Sequence, residues 1–119
     1  MKKELLLVAD DSPISLESIT RGIALFGKGD GHQVIGAAHS VEEVETLVKG
    51  GLRPTVALVD HKFPTAVDGE RAAEIIKQHS PQTIIISFST DSGLSWGDHN
   101  WTKLMGNQEL VDALTKLQH

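Results

Sequence analysis

The chain predicts a three-layer α/β domain, a parallel sheet between two layers of helices. Two short, continuously apolar runs, Leu5-Leu6-Leu7-Val8-Ala9 and Val56-Ala57-Leu58-Val59, read as strands buried on both faces. Each run ends in carboxylate, the first in Asp10-Asp11 and the second in Asp60, at the rim where open α/β sheets place their chemistry. Helical periodicity follows the strands in alternation, which calls for parallel pairing with helices as crossovers. At 119 residues and 12.9 kDa, residues 1–119 are expected to form one domain, with no room for a second folding unit.

The first strand is Glu4 to Ala9. Ser12-Pro13 then sets an N-cap hydroxyl before a proline at the first helical position, and Ile14, Leu16, Ile19, Ile23 and Phe26 follow at roughly helical spacing. After a glycine-rich loop at 27–31, Gln33 to Ala38 gives a second strand with Val34 and Ile35 as its core. Ser40-Val41-Glu42-Glu43 is a capping-box pattern that opens a helix through Val44, Leu47 and Val48 to Gly50-Gly51. The third strand, Val56 to Asp60, is entered through Pro54. The next helix is expected from about Gly69 to His79, stopping before Pro81. Thr83 to Phe88 is the fourth strand, a short fifth falls at about Asn100 to Thr102, and Asn107 opens a last helix with Leu110, Val111, Leu114 and Leu117 on one stripe.

Composition excludes several functions. Eleven Lys and Arg stand against 16 Asp and Glu, a net charge of -5, and no basic stripe is visible, which argues against direct nucleic-acid binding. There is no cysteine, so disulfides and thiol chemistry are excluded. No run approaches the roughly 20 apolar residues of a membrane span, and a cytoplasmic protein is expected. The six histidines show no metal-binding spacing and are expected mostly at the surface or in loops. No glycine-rich phosphate loop or dinucleotide fingerprint follows a strand.

If the strands bearing them are neighbours, Asp10, Asp11 and Asp60 meet at one rim. Like charges that close resist joint ionisation unless a cation joins them, and a hard divalent ion, Mg²⁺, suits oxygen ligands. Ser87 or Ser89 ends the fourth strand and Lys103 follows the fifth. Carboxylates, metal, hydroxyl and ammonium together make a site for a phosphoryl group, with an aspartate as nucleophile. Taken singly, each residue has a blander role: Asp10-Asp11 as a solvated helix entry, Ser87 as a core hydroxyl, Lys103 as a surface lysine.

In order, Leu7-Val8-Ala9-Asp10-Asp11-Ser12-Pro13, Val59-Asp60 with Pro64 and Asp68-Gly69, the serine-bearing end of the fourth strand, and Thr102-Lys103 followed by Glu109-Leu110 resemble the receiver domains of two-component response regulators. The resemblance implies a flavodoxin-like, doubly wound five-stranded parallel sheet of order 2-1-3-4-5. It further implies that Asp60 accepts a phosphoryl group from a sensor histidine kinase or histidine phosphotransfer protein. Asp11 would ligate Mg²⁺ directly and Asp10 largely through water, with Asp60 and the Lys62 carbonyl completing the set; Ser89 would bond a phosphoryl oxygen and Lys103 would pair with Asp60 or its phosphate. The output would be altered contact with an unknown downstream protein. Two other classes stay open, a degenerate receiver acting through constitutive contacts and a small Mg²⁺-dependent phosphatase, though no general acid for turnover is evident.

The chain departs from this pattern in four places. Ser87 and Ser89 leave the same face of a strand, and counting from Pro81 favours Ser89, with Thr90 where a smaller residue is usual. The loop after Asp60 is one residue longer than usual, and Lys62 within it would prolong or shorten the life of a bound phosphate. Only thirteen residues separate Ser89 from Lys103, so the fourth helix of the frame is expected to be reduced or absent. Trp96, Trp101 or a second subunit would then cover the bared sheet, a homodimer being one outcome. Asn100 falls where such domains carry a switching aromatic.

Overall fold

The computed structural model describes residues 3–61, 63, 65–89, 96–103 and 105–117. Five parallel strands form one sheet: β1 (Leu5–Ala9), β2 (Gln33–Ala38), β3 (Val56–Asp60), β4 (Ile84–Ser89) and β5 (His99–Thr102), in the order β2-β1-β3-β4-β5. The helices are α1 (Pro13–Phe26), α2 (Val41–Lys49), α3 (Ala66–His79) and α4 (Asn107–Lys116). The architecture is doubly wound and flavodoxin-like. Among the described residues no helix lies between β4 and β5.

Because strand side chains alternate, each central strand feeds two cores. Leu6, Val8, Val56, Leu58, Ile86 and Phe88 face α1 and α4, where Leu16, Ile19, Ile23, Leu110 and Leu114 meet them. Leu7, Ala9, Ala57, Val59 and Ile85 face α2 and α3, against Val44, Val48, Ala72, Ala73 and Ile76. All five residues of β3 are buried, as expected of a strand covered on both sides. The edge strands differ. β2 carries a register shift opposite Leu6 and Leu7, and β5 is mostly exposed, two ways of making a sheet edge a poor template for further pairing.

Caps fix the helix starts. The Ser12 hydroxyl accepts from the Ser15 N–H at 3.3 Å, and Ser40 does the same for Glu43 at 3.2 Å. Helix α3 starts at Ala66 rather than near Gly69, because Thr65 accepts from the Asp68 N–H and so caps the chain three residues earlier than the Asp-Gly pair suggests. Two further expectations are corrected. Ile14 is 83% exposed and Phe26 45% exposed, so α1 buries only the middle of its apolar stripe. Val34 and Ile35 are half-buried, as an edge strand dictates. His32, in the loop before β2, is buried, with its ring between the Glu4 N–H and the Thr115 hydroxyl. The glycine-rich loop contains a short 3₁₀ turn, Lys28–Asp30, closed by Gly31 in the left-handed region.

Candidate functional site

The site forms where the carboxyl ends of β1, β3, β4 and β5 converge. Asp10 follows β1 and stays in the ladder through its N–H to the Ala38 carbonyl at 3.0 Å. Asp60 closes β3 in register with Phe88 of β4. One carboxylate oxygen each of Asp10, Asp11 and Asp60 lie within 4.8 Å of one another; Asp10 and Asp60 are buried and Asp11 is exposed. Lys103, just past β5, is positioned by its backbone N–H, which donates to the Ser89 carbonyl at 2.8 Å. Its ammonium reaches Asp10 Oδ2 at 2.8 Å and Asp60 Oδ1 at 3.0 Å.

The two buried carboxylates are not equivalent. Burial opposes charge on Asp10, but Lys103, the Ser12 N–H at 2.9 Å and the Ser15 hydroxyl at 2.7 Å together hold its carboxyl below the usual range. Burial also acts on Asp60, and there Lys103 is outweighed: with the Asp10 charge and the Asp11 carboxyl beside it, Asp60 is pushed up to about 6. Lys103 loses from burial and gains more from the two aspartates, so its ammonium is held above its ordinary value. The cation is therefore shared between an aspartate that accepts three hydrogen bonds and one crowded by negative charge. Among the described residues, three carboxylates against one ammonium leave excess negative charge, and a hard, oxygen-seeking divalent ion matches that donor set.

The β4 serines are separated by depth. Ser87 is 1% exposed, faces the second core, and its hydroxyl has no hydrogen-bond partner among the described residues. Ser89 lies one step beyond the level of Asp60, paired with Thr102 and bound through its carbonyl to Lys103. The structure thus brings Asp10, Asp11, Asp60 and Lys103 together, with Ser89 at the same strand ends. Lys62, Pro64 and Thr90 lie outside the described residues.

Ser15 was not legible as a site residue. Its signal is faint, a hydroxyl on the first turn of the helix that follows an acidic pair, facing back toward it. The hollow lined by Arg53, Thr55, His79 and Gln82 lies at the opposite end of β3 and β4, away from the carboxylates. No helix among the described residues is long and apolar enough to cross a membrane.

Neither a protein-family model nor a curated protein matches the sequence. Solved structures do match the fold. The signal receiver domain of NarL from Mycobacterium tuberculosis superposes with TM-score 0.77 at 24% identity, covering 96% of this chain and 94% of that one. The isolated REC domain of RcsB from Salmonella enterica serovar Typhimurium, in the presence of phosphomimetic BeF3-, gives 0.74 at 20% identity over 95% and 86%. The N-terminal domain of a response regulator/sensory box/GGDEF 3-domain protein from Carboxydothermus hydrogenoformans gives 0.70 at 21%, over 96% and 93%. The fold is that of the response-regulator receiver domain, without a described helix between β4 and β5.

Proposed function

We propose that the chain is a phosphoacceptor signalling domain, residues 1–119 acting as one receiver, with Asp60 taking a phosphoryl group from a phosphohistidine on a kinase or phosphotransfer protein in the cytoplasm. The observation that supports it most is the Lys103 ammonium bridging Asp10 and Asp60 at 2.8 and 3.0 Å beside the exposed carboxylate of Asp11. In the transfer the Asp60 carboxylate attacks phosphorus in line, an oxygen–phosphorus bond forms, and the nitrogen–phosphorus bond breaks with its electron pair leaving on the histidine nitrogen. Lys103, already against Asp60, lies within reach of the arriving phosphoryl oxygens. Ser89 at the strand end offers them a hydroxyl.

Mg²⁺ would be held by Asp11 and Asp60, with Asp10 behind them and the Lys62 carbonyl completing the set, and it would supply positive charge against the phosphoryl oxygens. Asp10 itself serves chiefly as the anchor of Lys103, since the Ser12 N–H, the Ser15 hydroxyl and the ammonium already occupy its two oxygens. A groove beside the site, lined by Ser12, Ile14, Ser15, Lys103 and Met105, gives the donor protein access, and the exposed Ile14 offers it an apolar contact.

Incubation with acetyl phosphate, with and without Mg²⁺, followed by intact mass measurement tests this. A metal-dependent gain of one phosphoryl group, lost in Asp60→Ala, is expected. No gain in the wild-type chain would remove the phosphoacceptor reading, and steady hydrolysis of an unrelated phosphomonoester would replace it with a phosphatase.

A further inference from the structure

Where the sheet lacks a described covering helix, residues 96–98 take its place. Trp96 packs against the second core and stacks on His61, ring centroids 6.0 Å apart and planes inclined by 14°. Gly97 lies so close to β4 that a Cβ there would stand 2.7 Å from the Ser87 nitrogen and 3.1 Å from the Ile85 oxygen. Asp98 accepts from the Ile85 N–H at 2.9 Å and pairs with Lys77 of α3 at 3.0 Å. The three residues form a strap fastened to β4 and to α3.

The strap meets the proposed acceptor at one point. A Cβ on Gly69 would stand 2.6 Å from the His61 oxygen, 2.8 Å from the Asp60 oxygen and 2.8 Å from Trp96 Cζ2. The backbone of Asp60 and His61, the first turn of α3 and the edge of the indole therefore press on one position that only glycine fits. Contacts packed this closely pass a displacement on rather than absorb it. Trp96 Nε1, His61 Nδ1 and Ser87 Oγ are also buried here without a hydrogen-bond partner among the described residues. A buried polar atom left unpaired carries a desolvation cost, which a rearrangement that pairs it would recover. Asn100, in register with Ser87 on β5, has no ring to swing in their place.

We propose that the Gly69 junction couples the chemistry at Asp60 to Trp96: loading Asp60 shifts the indole off its stack on His61 and loosens the strap at Asp98. The inference rests on the phosphoacceptor reading above. It assigns Trp96 and Gly69 a coupling role and leaves the transfer chemistry to Asp60.

The test loads the full chain with Mg²⁺ and beryllofluoride and follows the Trp96 indole resonance, assigned through Trp101→Phe, together with exchange of the Ile85 amide. Loading is expected to move that resonance and to speed Ile85 exchange roughly tenfold, since the Asp98 bond guards it. Asp60→Ala is expected to show neither change. Gly69→Ala, which wedges a methyl into the junction, is expected to displace the Trp96 resonance before any loading. Intact mass after acetyl phosphate reports the acceptor separately. A chain that gains the phosphoryl group while the Trp96 resonance and Ile85 exchange stay fixed overturns the coupling and spares the acceptor; no gain at all overturns both. The chain has two tryptophans, so Trp96→Phe assigns the same resonance by its loss should Trp101→Phe not fold.

Discussion

The Asp98 carboxylate accepts the Ile85 backbone N–H at 2.9 Å, one step before β5 begins to pair with β4, and so stands in for the carbonyl of a longer fifth strand. Burial opposes its charge, but the Ile85 N–H and Lys77 outweigh burial and hold the carboxyl below its usual 3.8. A depressed carboxylate contributes stability above its unfolded value and loses it as pH falls through the folded one, so the contribution is complete above pH 3.8 and fades below. Asp98→Ala is expected to cost about 1 kcal/mol at pH 7, less than is usual for a hydrogen bond to a charged group because the side chain is half-exposed. Urea titrations across pH check this; a deficit that does not shrink in acid would refute the assignment.

Asp60 carries the opposite sign. Burial and the neighbouring carboxyls raise it from 3.8 to about 6, so the folded chain holds that proton more tightly than the unfolded one. Without divalent metal, stability therefore falls as pH rises from about 4 to 6, by roughly 3 kcal/mol at most for this side chain. Asp60→Asn removes the charge and is expected to stabilise the EDTA-treated chain by about 1–3 kcal/mol at pH 7, with no gain below pH 4. Adding Mg²⁺ should stabilise the wild-type chain and narrow the difference. Urea midpoints at pH 4 and 7, with and without metal, read all three effects.

His32 ties three segments together. Its Nδ1 accepts the Glu4 N–H at 3.0 Å, which makes Nε2 the protonated nitrogen, and Nε2–H donates to the Thr115 hydroxyl at 2.9 Å. That hydroxyl lies 3.1 Å from Asp30, so the start of β1, the 3₁₀ turn and α4 share one network. His32→Phe keeps the ring and strands the Glu4 N–H, at an expected cost of about 1–3 kcal/mol. Phosphoryl uptake at Asp60, on the far rim, should be unchanged. A variant as stable as the wild type in urea would show the network to be idle.

The interior strands were legible because burial on both faces leaves a continuous apolar run: β1 and β3 are written out in Leu5 to Ala9 and Val56 to Val59, and their carboxylates follow. The helices were legible through their caps, except that Thr65 was overlooked in favour of Asp68-Gly69. Ser15 was missed because its importance lies in an oxygen five residues earlier, and a hydroxyl on a helix's first turn has no pattern of its own. The histidine spacing was equally silent about His32, whose partners lie 28 and 83 residues away. The shortness of the last crossover was plain from the count between Ser89 and Lys103. That Trp96 rather than Trp101 would cover the second core was not, since both indoles sit on a short polar stretch whose path depends on tertiary packing.

The abbreviated last crossover also changes what β5 must contribute to remain attached. Ile86 and His99 are 13 residues apart in the chain, whereas the first partners of β3 and β4, Val56 and Ile84, are 28 apart, and those of β1 and β3, Leu6 and Val56, are 50 apart. Closing the shorter loop forfeits less chain entropy, by roughly 0.7 kcal/mol relative to the 28-residue separation. A four-residue strand with little apolar burial thereby keeps its place in the sheet and still delivers Lys103 to the rim. Lengthening that loop would tax the one strand least able to bear it, so brevity here acts as a structural support in its own right.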